Sequence, residues 1–535
     1  MAATTWSVFD QKQLLSIAKA KRSKAENLRP LQVLALEKFA THPSTQPASL
    51  FVADNILTPA LRIDILLHLE AQYIKDEIII VGFNDYVKRL NPENANWMLR
   101  MVDSLLDASI KFFNFSIFCD YHSSDHQRDL LIWQMLAQRC PNLEAVDDSR
   151  KHSSDRGKGK LLVRDVLPFL SQCRNLQHIK LQEYICDAKD LAVIASNHPN
   201  LKTLCVTFEL VYFETLKNLF ALHHLEELNI SWYPRCHVKD KSQMEIDEQD
   251  HYYRHFNAEC LENLPKLRIC WGGEANHNIR SYRGHGVLSL THLRVCRGSY
   301  NFELVPWLEY LLLDRPSATS NFDLVGKLSH LRELELYDVN STFVNRILEL
   351  CGHKLKVLTI YSCHDFCLKP FQVLFHCPHL VKLELSECFG SKNDDLLCYK
   401  DHVHIGQVQH LKQLVMFNNR NVPSEFTTIT LSAPNLEIFY FATNWNLSKN
   451  DISHLINLLM EGRILQNLHT LYFYYEDEEE NPELFKFLCI LVSHAPKLKK
   501  LEIWGSKFGI EFSKMELIKE LSKFDDFHFV LDICE

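Results

Sequence analysis

The sequence predicts an α/β solenoid made of short parallel strands, each followed by a helical or irregular return to the next strand. Three observations lead there. A short apolar phrase recurs along the chain with constant internal spacing, the segments between copies carry apolar residues at helical intervals, and a proline-bearing lead-in directly precedes many copies.

The phrase is a leucine, two variable residues, an apolar residue, one variable residue and a second apolar residue. It reads Leu176-Ile179-Leu181, Leu201-Leu204-Val206, Leu225-Leu228-Ile230, Leu331-Leu334-Leu336, Leu355-Leu358-Ile360 and Leu380-Leu383-Leu385. It continues as Leu411-Leu414-Met416, Leu436-Phe439-Phe441, Leu468-Leu471-Phe473 and Leu498-Leu501-Ile503. Most successive copies lie about 24 to 32 residues apart, close to the period of leucine-rich repeats. Side chains alternate across a strand, so the last two apolar residues face inward and those between them face out. Weaker copies fall at Ile110-Phe113-Phe115 and Leu143-Val146, and irregular ones at Leu267-Ile269, Leu293-Val295 and Leu308-Leu311-Leu313.

The spacers Asp187 to Ser196, Phe213 to Leu222, Phe343 to Cys351 and Glu483 to His494 carry apolar residues three and four apart, which predicts helices. A strand and a helix cannot bury their own apolar faces, so stacking against neighbouring units must close the core. The lead-ins are Cys140-Pro141-Asn142, Cys173-Arg174-Asn175, His198-Pro199-Asn200, Cys377-Pro378-His379, Ala433-Pro434-Asn435 and Ala495-Pro496-Lys497. Proline there stops the preceding helix, because its ring nitrogen has no hydrogen to donate. Two polar segments, Asp147 to Lys160 and Pro234 to Arg254, interrupt the pattern and read as exposed loops, as does the acidic run Glu476 to Glu480.

Composition narrows the function classes. The chain has 535 residues, 46% hydrophobic and 23% charged, and no apolar run approaches the ~20 residues of a membrane span. Met1 to Lys21 lacks the apolar core of a secretory signal and leads into Lys19, Lys21, Arg22 and Lys24, so a cytoplasmic or nuclear location is expected. The 17 cysteines are odd in number and scattered, which predicts free buried thiols. Cys363, His364, Cys367, His376 and Cys377 match no common zinc spacing, so no metal is expected. A net charge of −9 disfavours nucleic acid as a partner. The sequence holds no glycine-rich phosphate loop, HExxH or nucleophile elbow, so neither an enzyme activity nor a cofactor is expected.

The outward strand positions toward the C-terminus are strongly aromatic: Tyr337, Tyr361, Phe417, Tyr440, Tyr472, Tyr474 and Trp504. Glu333, Glu335, Lys382, Glu384, Lys500 and Glu502 are interleaved with them. Aromatics give large contact area with few rotors, and this face is the expected substrate-binding surface for a protein. Cross-strand packing that merely stabilises the sheet would use the same residues.

Residues 1–105 carry no phrase and read as a helical segment ahead of a solenoid over 106–535. Pro30, Leu31, Ala35 and Phe39 form a narrow apolar stripe at four-residue steps. This stripe resembles the elongin-binding box of cullin-RING ubiquitin-ligase receptors, with Ala35 where that box commonly has cysteine. Some 20 residues on, Leu57, Pro59, Leu61, Ile65, Leu66 and Leu69 resemble a cullin box or the opening of an F-box. Together the two stretches look like the leucine-rich-repeat receptors of elongin-dependent ligases, relatives of the ZYG and PRAME groups. The resemblance implies a substrate-recognition subunit whose N-terminal helices dock on elongin B/C and a cullin, or on a Skp-type adaptor. The alternatives are helices that only cap the solenoid, and a chain that is a protein-interaction scaffold with no ligase partner.

Overall fold

The computed structural model describes residues 106–115, 126–148, 162–208, 217–232, 259–272, 287–296, 302–316, 322–363, 370–388, 408–419, 422, 424–443, 449–474, 482–504 and 528–532. The N-terminal segment 1–105, with Pro30, Leu31, Ala35, Phe39, Leu57, Pro59, Leu61 and Ile65, lies outside them. So do residues 149–161, 213–216, 234–254 and 476–480. The described chain falls into two compact units that meet in sequence at 294/295.

In the first unit β1 (Phe112–Asn114), β2 (Ala145–Asp147), β3 (His178–Cys186), β4 (Thr203–Phe208), β5 (Glu227–Trp232), β6 (Ile269–Gly272) and β7 (His292–Cys296) follow one another. Each pairs in parallel with the next. The last two residues of β7 lie past the boundary. The second unit repeats the scheme with β8 (Tyr310–Asp314), β9 (Glu333–Tyr337), β10 (Val357–Tyr361), β11 (Lys382–Ser386) and β12 (Gln413–Asn419). It continues through β13 (Ile438–Thr443), β14 (Thr470–Tyr474), β15 (Lys500–Trp504) and β16 (His528–Asp532). These nine strands also pair in parallel in chain order. One strand per repeat, each parallel to the next, is the leucine-rich-repeat solenoid that the phrase predicts.

The hydrogen bonds explain the phrase. The N–H of its leucine donates to the carbonyl three residues back, as in Leu201 to His198 (3.1 Å), Leu380 to Cys377 (3.2 Å) and Leu498 to Ala495 (3.2 Å). The lead-in is therefore a four-residue turn, and proline occupies the second position, where its fixed φ is already correct. The next two N–H groups share one carbonyl of the preceding repeat: Lys356 and Val357 donate to Arg332 O at 2.7 and 3.1 Å. The third lead-in residue reaches backward as well. Asn142 Nδ2 donates to Ala108 O (3.0 Å), Asn435 to Gln409 O (2.7 Å) and Asn467 to Pro434 O (3.2 Å), which satisfies a turn carbonyl and accounts for the asparagine.

Phrase residues such as Leu201, Leu334, Leu358 and Leu385 are fully buried, each contributing roughly 1.5–3 kcal/mol. The helices cover them from outside. Helix Ala188–Asn197 starts with a reciprocal cap in which Asp187 accepts from the N–H of Lys189 and Asp190 while Asp190 accepts from that of Asp187. Asn340 caps helix Ser341–Cys351, whose Val344, Ile347, Leu348 and Cys351 point into the core at three- and four-residue spacing. Helix Lys449–Met460 has no proline stop. Gly462 takes φ +70° instead, and its N–H and that of Arg463 close back on Leu459 O and Leu458 O (3.0 and 2.9 Å).

Three expectations are corrected. In β6 the register pairs Ile269 with Glu227 and Cys270 with Leu228, so the inward residue after Leu267 is Cys270 and Ile269 faces out. In β7 Leu293 and Val295 follow Leu290 at regular phrase spacing, all three buried. The segment from Asp147 does not begin as a loop. Asp147 ends β2, and Asp148 is fully buried at an inward position. A three-residue excess in β3 after Leu181 brings in Tyr184, which donates to Asp148 Oδ2 at 2.6 Å and accepts from Trp133 Nε1 at 3.2 Å.

Candidate protein-binding face

Strand register in the second unit lines outward residues into three rows. The first contains Tyr310, Glu333, Val357, Lys382, Gln413, Ile438, Thr470 and Lys500. The second contains Leu312, Glu335, Thr359, Glu384, Val415, Tyr440, Tyr472 and Glu502, and the third Asp314, Tyr337, Tyr361, Ser386, Phe417, Ala442, Tyr474 and Trp504. All seven aromatic residues expected on this face thus occupy its second and third rows.

The structure gathers them into two groups. On β9 and β10 the rings of Tyr337 and Tyr361 stack with centroids 4.4 Å apart. Tyr337 donates to Glu335 Oε2 (3.4 Å), and Tyr361 to Glu384 Oε1 on the next strand (2.5 Å). Burial pushes both phenols up, Tyr337 to about 12, with Glu335 adding to it there, so both rings stay neutral donors. Farther along, Phe417, Tyr440 and Tyr472 are spaced at 6.2 and 5.4 Å, and Lys500 Nζ lies 5.6 Å from the Tyr472 ring centre. Between the groups stands β11, with Lys382 paired to Glu384 at 3.1 Å and Ser386 buried.

Exposure separates contact residues from packing residues. Phe417 is 46% exposed, whereas Tyr440 and Tyr472 retain only 8% and 2%, and Glu502, paired to Lys500 at 2.9 Å, has none. Tyr440 and Tyr472 therefore sit at the expected strand positions but act as cross-strand packing. Phe417 stands between the small Ser386 and Ala442 of its row, and a bulge follows it: Asn418 is an extra residue in β12, with Phe417 opposite Ala442 and Asn419 opposite Thr443. Asn419 turns inward, donating to Leu385 O and accepting from the Cys388 N–H, both at 2.8 Å.

A further row was not anticipated. The residue directly after the fifth position of five strands, Arg315, Asp338, Ser362, Glu387 and Asn418, has φ between 47° and 55° without being glycine. That conformation costs about 1–2 kcal/mol per residue. It is held because the N–H of the first four donates to the carbonyl of the fifth residue of the next strand at 2.8–3.1 Å. Their side chains join along the rim: Arg315 to Asp338 (2.7 Å), Ser362 to Glu387 (2.9 Å) and Asn418 to Glu387 (3.2 Å). The available signal was a polar residue immediately after each fifth strand position, with aspartate and asparagine among those most tolerant of positive φ.

The first unit has a different outward face. His178 Nδ1 lies 2.9 Å from Thr203 Oγ1, which donates to Glu227 Oε2 (3.2 Å), and Lys180 is 3.8 Å from Glu227 Oε1. This network pairs its own charges across β3, β4 and β5.

No family model and no curated protein matches the chain. Solved structures do. The yeast Rad7 and Elc1 complex matches at 15% identity over 90% of this chain and 94% of that one, with a TM-score of 0.35. An internalin (inlF) from Listeria monocytogenes matches at 15% identity over 69% and 83% (TM-score 0.32). A leucine-rich-repeat protein of Leptospira interrogans matches at 14% over 75% and 91% (TM-score 0.29). The repeat architecture rests on the chain's own strand register, and nothing about partners is taken from these likenesses. No helix among the described residues is long and apolar enough to cross a membrane.

Proposed function

We propose that the chain is a non-catalytic protein-binding subunit that presents a protein substrate to a cullin-RING ubiquitin ligase. The observation that carries the binding role is the outward face of β9–β12: a stacked tyrosine pair held by carboxylates, followed by the solvent-exposed Phe417 between two small neighbours. A sheet that needed aromatics only for packing would bury them, as it does Tyr440 and Tyr472. Rigid aromatic anchors among polar groups are the composition of protein-binding hot spots.

The ligase role is supported by the N-terminal sequence. The stripe Pro30, Leu31, Ala35, Phe39 resembles an elongin-binding box, and Leu57, Pro59, Leu61 and Ile65 resemble a cullin box or F-box opening. In this reading the N-terminal helices hold the adaptor, the array holds the substrate, and other subunits transfer ubiquitin.

The test is an affinity pull-down from cell lysate with the intact chain and a Leu31→Asp, Phe39→Asp double variant, both checked by circular dichroism. Elongin B/C and a cullin recovered by the intact chain alone support the elongin-type receptor. Recovery of a Skp-type adaptor assigns the segment to the F-box type. Recovery of neither leaves a repeat scaffold without a ligase partner and overturns the receptor reading.

A further inference from the structure

We infer that the outward face of β8–β11 takes a basic segment of the partner protein, with an arginine or lysine side chain set against the Tyr337–Tyr361 stack. The inference rests on the binding role proposed above and gives the partner its chemistry.

Charge is the first argument. The outward rows of these four strands carry Asp314, Glu333, Glu335 and Glu384 against one cation, Lys382. Lys382 is committed to Glu384 at 3.1 Å, and Asp314 has Arg315 of the rim at 3.9 Å. Glu333 is exposed and has no ion pair among the described residues, and Glu335 accepts from the hydroxyls of Tyr310 and Tyr337 and shares the Lys382 charge with Glu384. The face therefore holds more negative charge than it neutralises. Farther along, Lys500 already answers Glu502.

Geometry is the second argument. Tyr337 and Tyr361 form one aromatic platform between Glu335 and Glu384, and each hydroxyl donates to one of those carboxylates. A carboxylate can accept several hydrogen bonds, so lone pairs remain for an incoming N–H donor. A cation over a tyrosine face is attracted by the ring's negative face, and more strongly when it is desolvated. Glu335, Tyr337, Tyr361 and Glu384 are all half-buried, so a cation arriving there sheds part of its water. Burial, with Glu384 adding to it, already holds the Glu335 carboxyl above its ordinary range, and an arriving cation relieves that penalty. An acidic segment or a phosphate backbone would meet repulsion at the same place.

The experiment is fluorescence anisotropy on the full chain with a fluorescein-labelled peptide of alternating arginine and serine, and a twin in which glutamate replaces arginine. Glu333→Lys places a like charge in the face. Glu303→Lys makes the same change in net charge at an exposed residue whose ion pair to Lys327 is long, 3.9 Å. The expected result is binding of the basic peptide alone, weakened about ten-fold or more by Glu333→Lys, as ~1.4 kcal/mol of lost attraction requires. Glu303→Lys should leave it within about two-fold, the effect expected of screened distant charge. No binding of the basic peptide, or equal losses in the two variants, overturns the inference. Adaptor capture in the pull-down together with either of those results removes this inference and leaves the proposed function standing.

Discussion

Tyr361 stacks on Tyr337 at 4.4 Å and at the same time donates its hydroxyl to Glu384, so one side chain ties together three consecutive strands. Tyr361→Phe keeps the stack and removes the hydrogen bond to a charged acceptor, for an expected loss of about 1.5–3 kcal/mol at most. Tyr361→Ala removes both interactions and should cost more. Urea unfolding of the two variants checks the order, and equal losses would show that the hydroxyl carries all of the effect.

Glu335 predicts an opposition between stability and binding. Its carboxyl is held above the ordinary range, first by burial and then by Glu384. The folded state thus binds this proton more tightly than the unfolded state does. That stabilising contribution is complete below the ordinary carboxylate range and disappears as pH rises through the raised value. Glu335→Gln should accordingly raise the melting temperature at neutral pH, by up to about 1 kcal/mol in stability, with a smaller gain in acid. The same variant should bind the basic peptide more weakly. Thermal melts across pH and anisotropy on one preparation test both halves.

Two glycines should behave oppositely. A Cβ on Gly352 would stand 2.7 Å from the His376 carbonyl oxygen and 3.0 Å from Cys377 Sγ, where backbone has little room to yield. Gly352→Ala is expected to destabilise by about 1–3 kcal/mol. At Gly326 the nearest atoms are 3.6 Å away, so Gly326→Ala should be neutral or stabilising by up to about 1 kcal/mol. Chemical denaturation of the pair is the check.

The cysteines give a chemical readout. Eleven are buried and free among the described residues. Burial pushes Cys173 to about 11 and Cys140, Cys270, Cys351 and Cys388 to about 12. Alkylation of the native chain followed by peptide mass spectrometry should leave these five largely unmodified at neutral pH, because the thiolate is the reacting form. Fast native labelling at any of them would contradict its placement.

The repeats were legible because the phrase is fixed by the core: Leu334, Leu358 and Leu383 must be inward, so their spacing follows the strand. The aromatic rows were legible for the same reason, since fixing the inward set fixes its alternates. How deeply an outward side chain sinks was not, because it depends on neighbouring rows. Tyr440 and Tyr472 packed while Phe417 emerged. The bulge at Asn418 and the positive-φ rim escaped because backbone geometry there is set by hydrogen bonds to the next repeat, and the polar residue that marks each rim position looks like any loop residue. Asp148 misled because a charged residue reads as loop until its buried partner Tyr184 is known.

The most direct test of the central claim compares proteins recovered from lysate by the intact chain and by a Tyr361→Ala, Phe417→Asp double variant, each verified as folded by circular dichroism. Adaptor proteins should be recovered equally by both, and a specific set of other proteins should be lost with the variant. Recovery of the same proteins in the same amounts by both chains would contradict the assignment of this face as the substrate-binding surface.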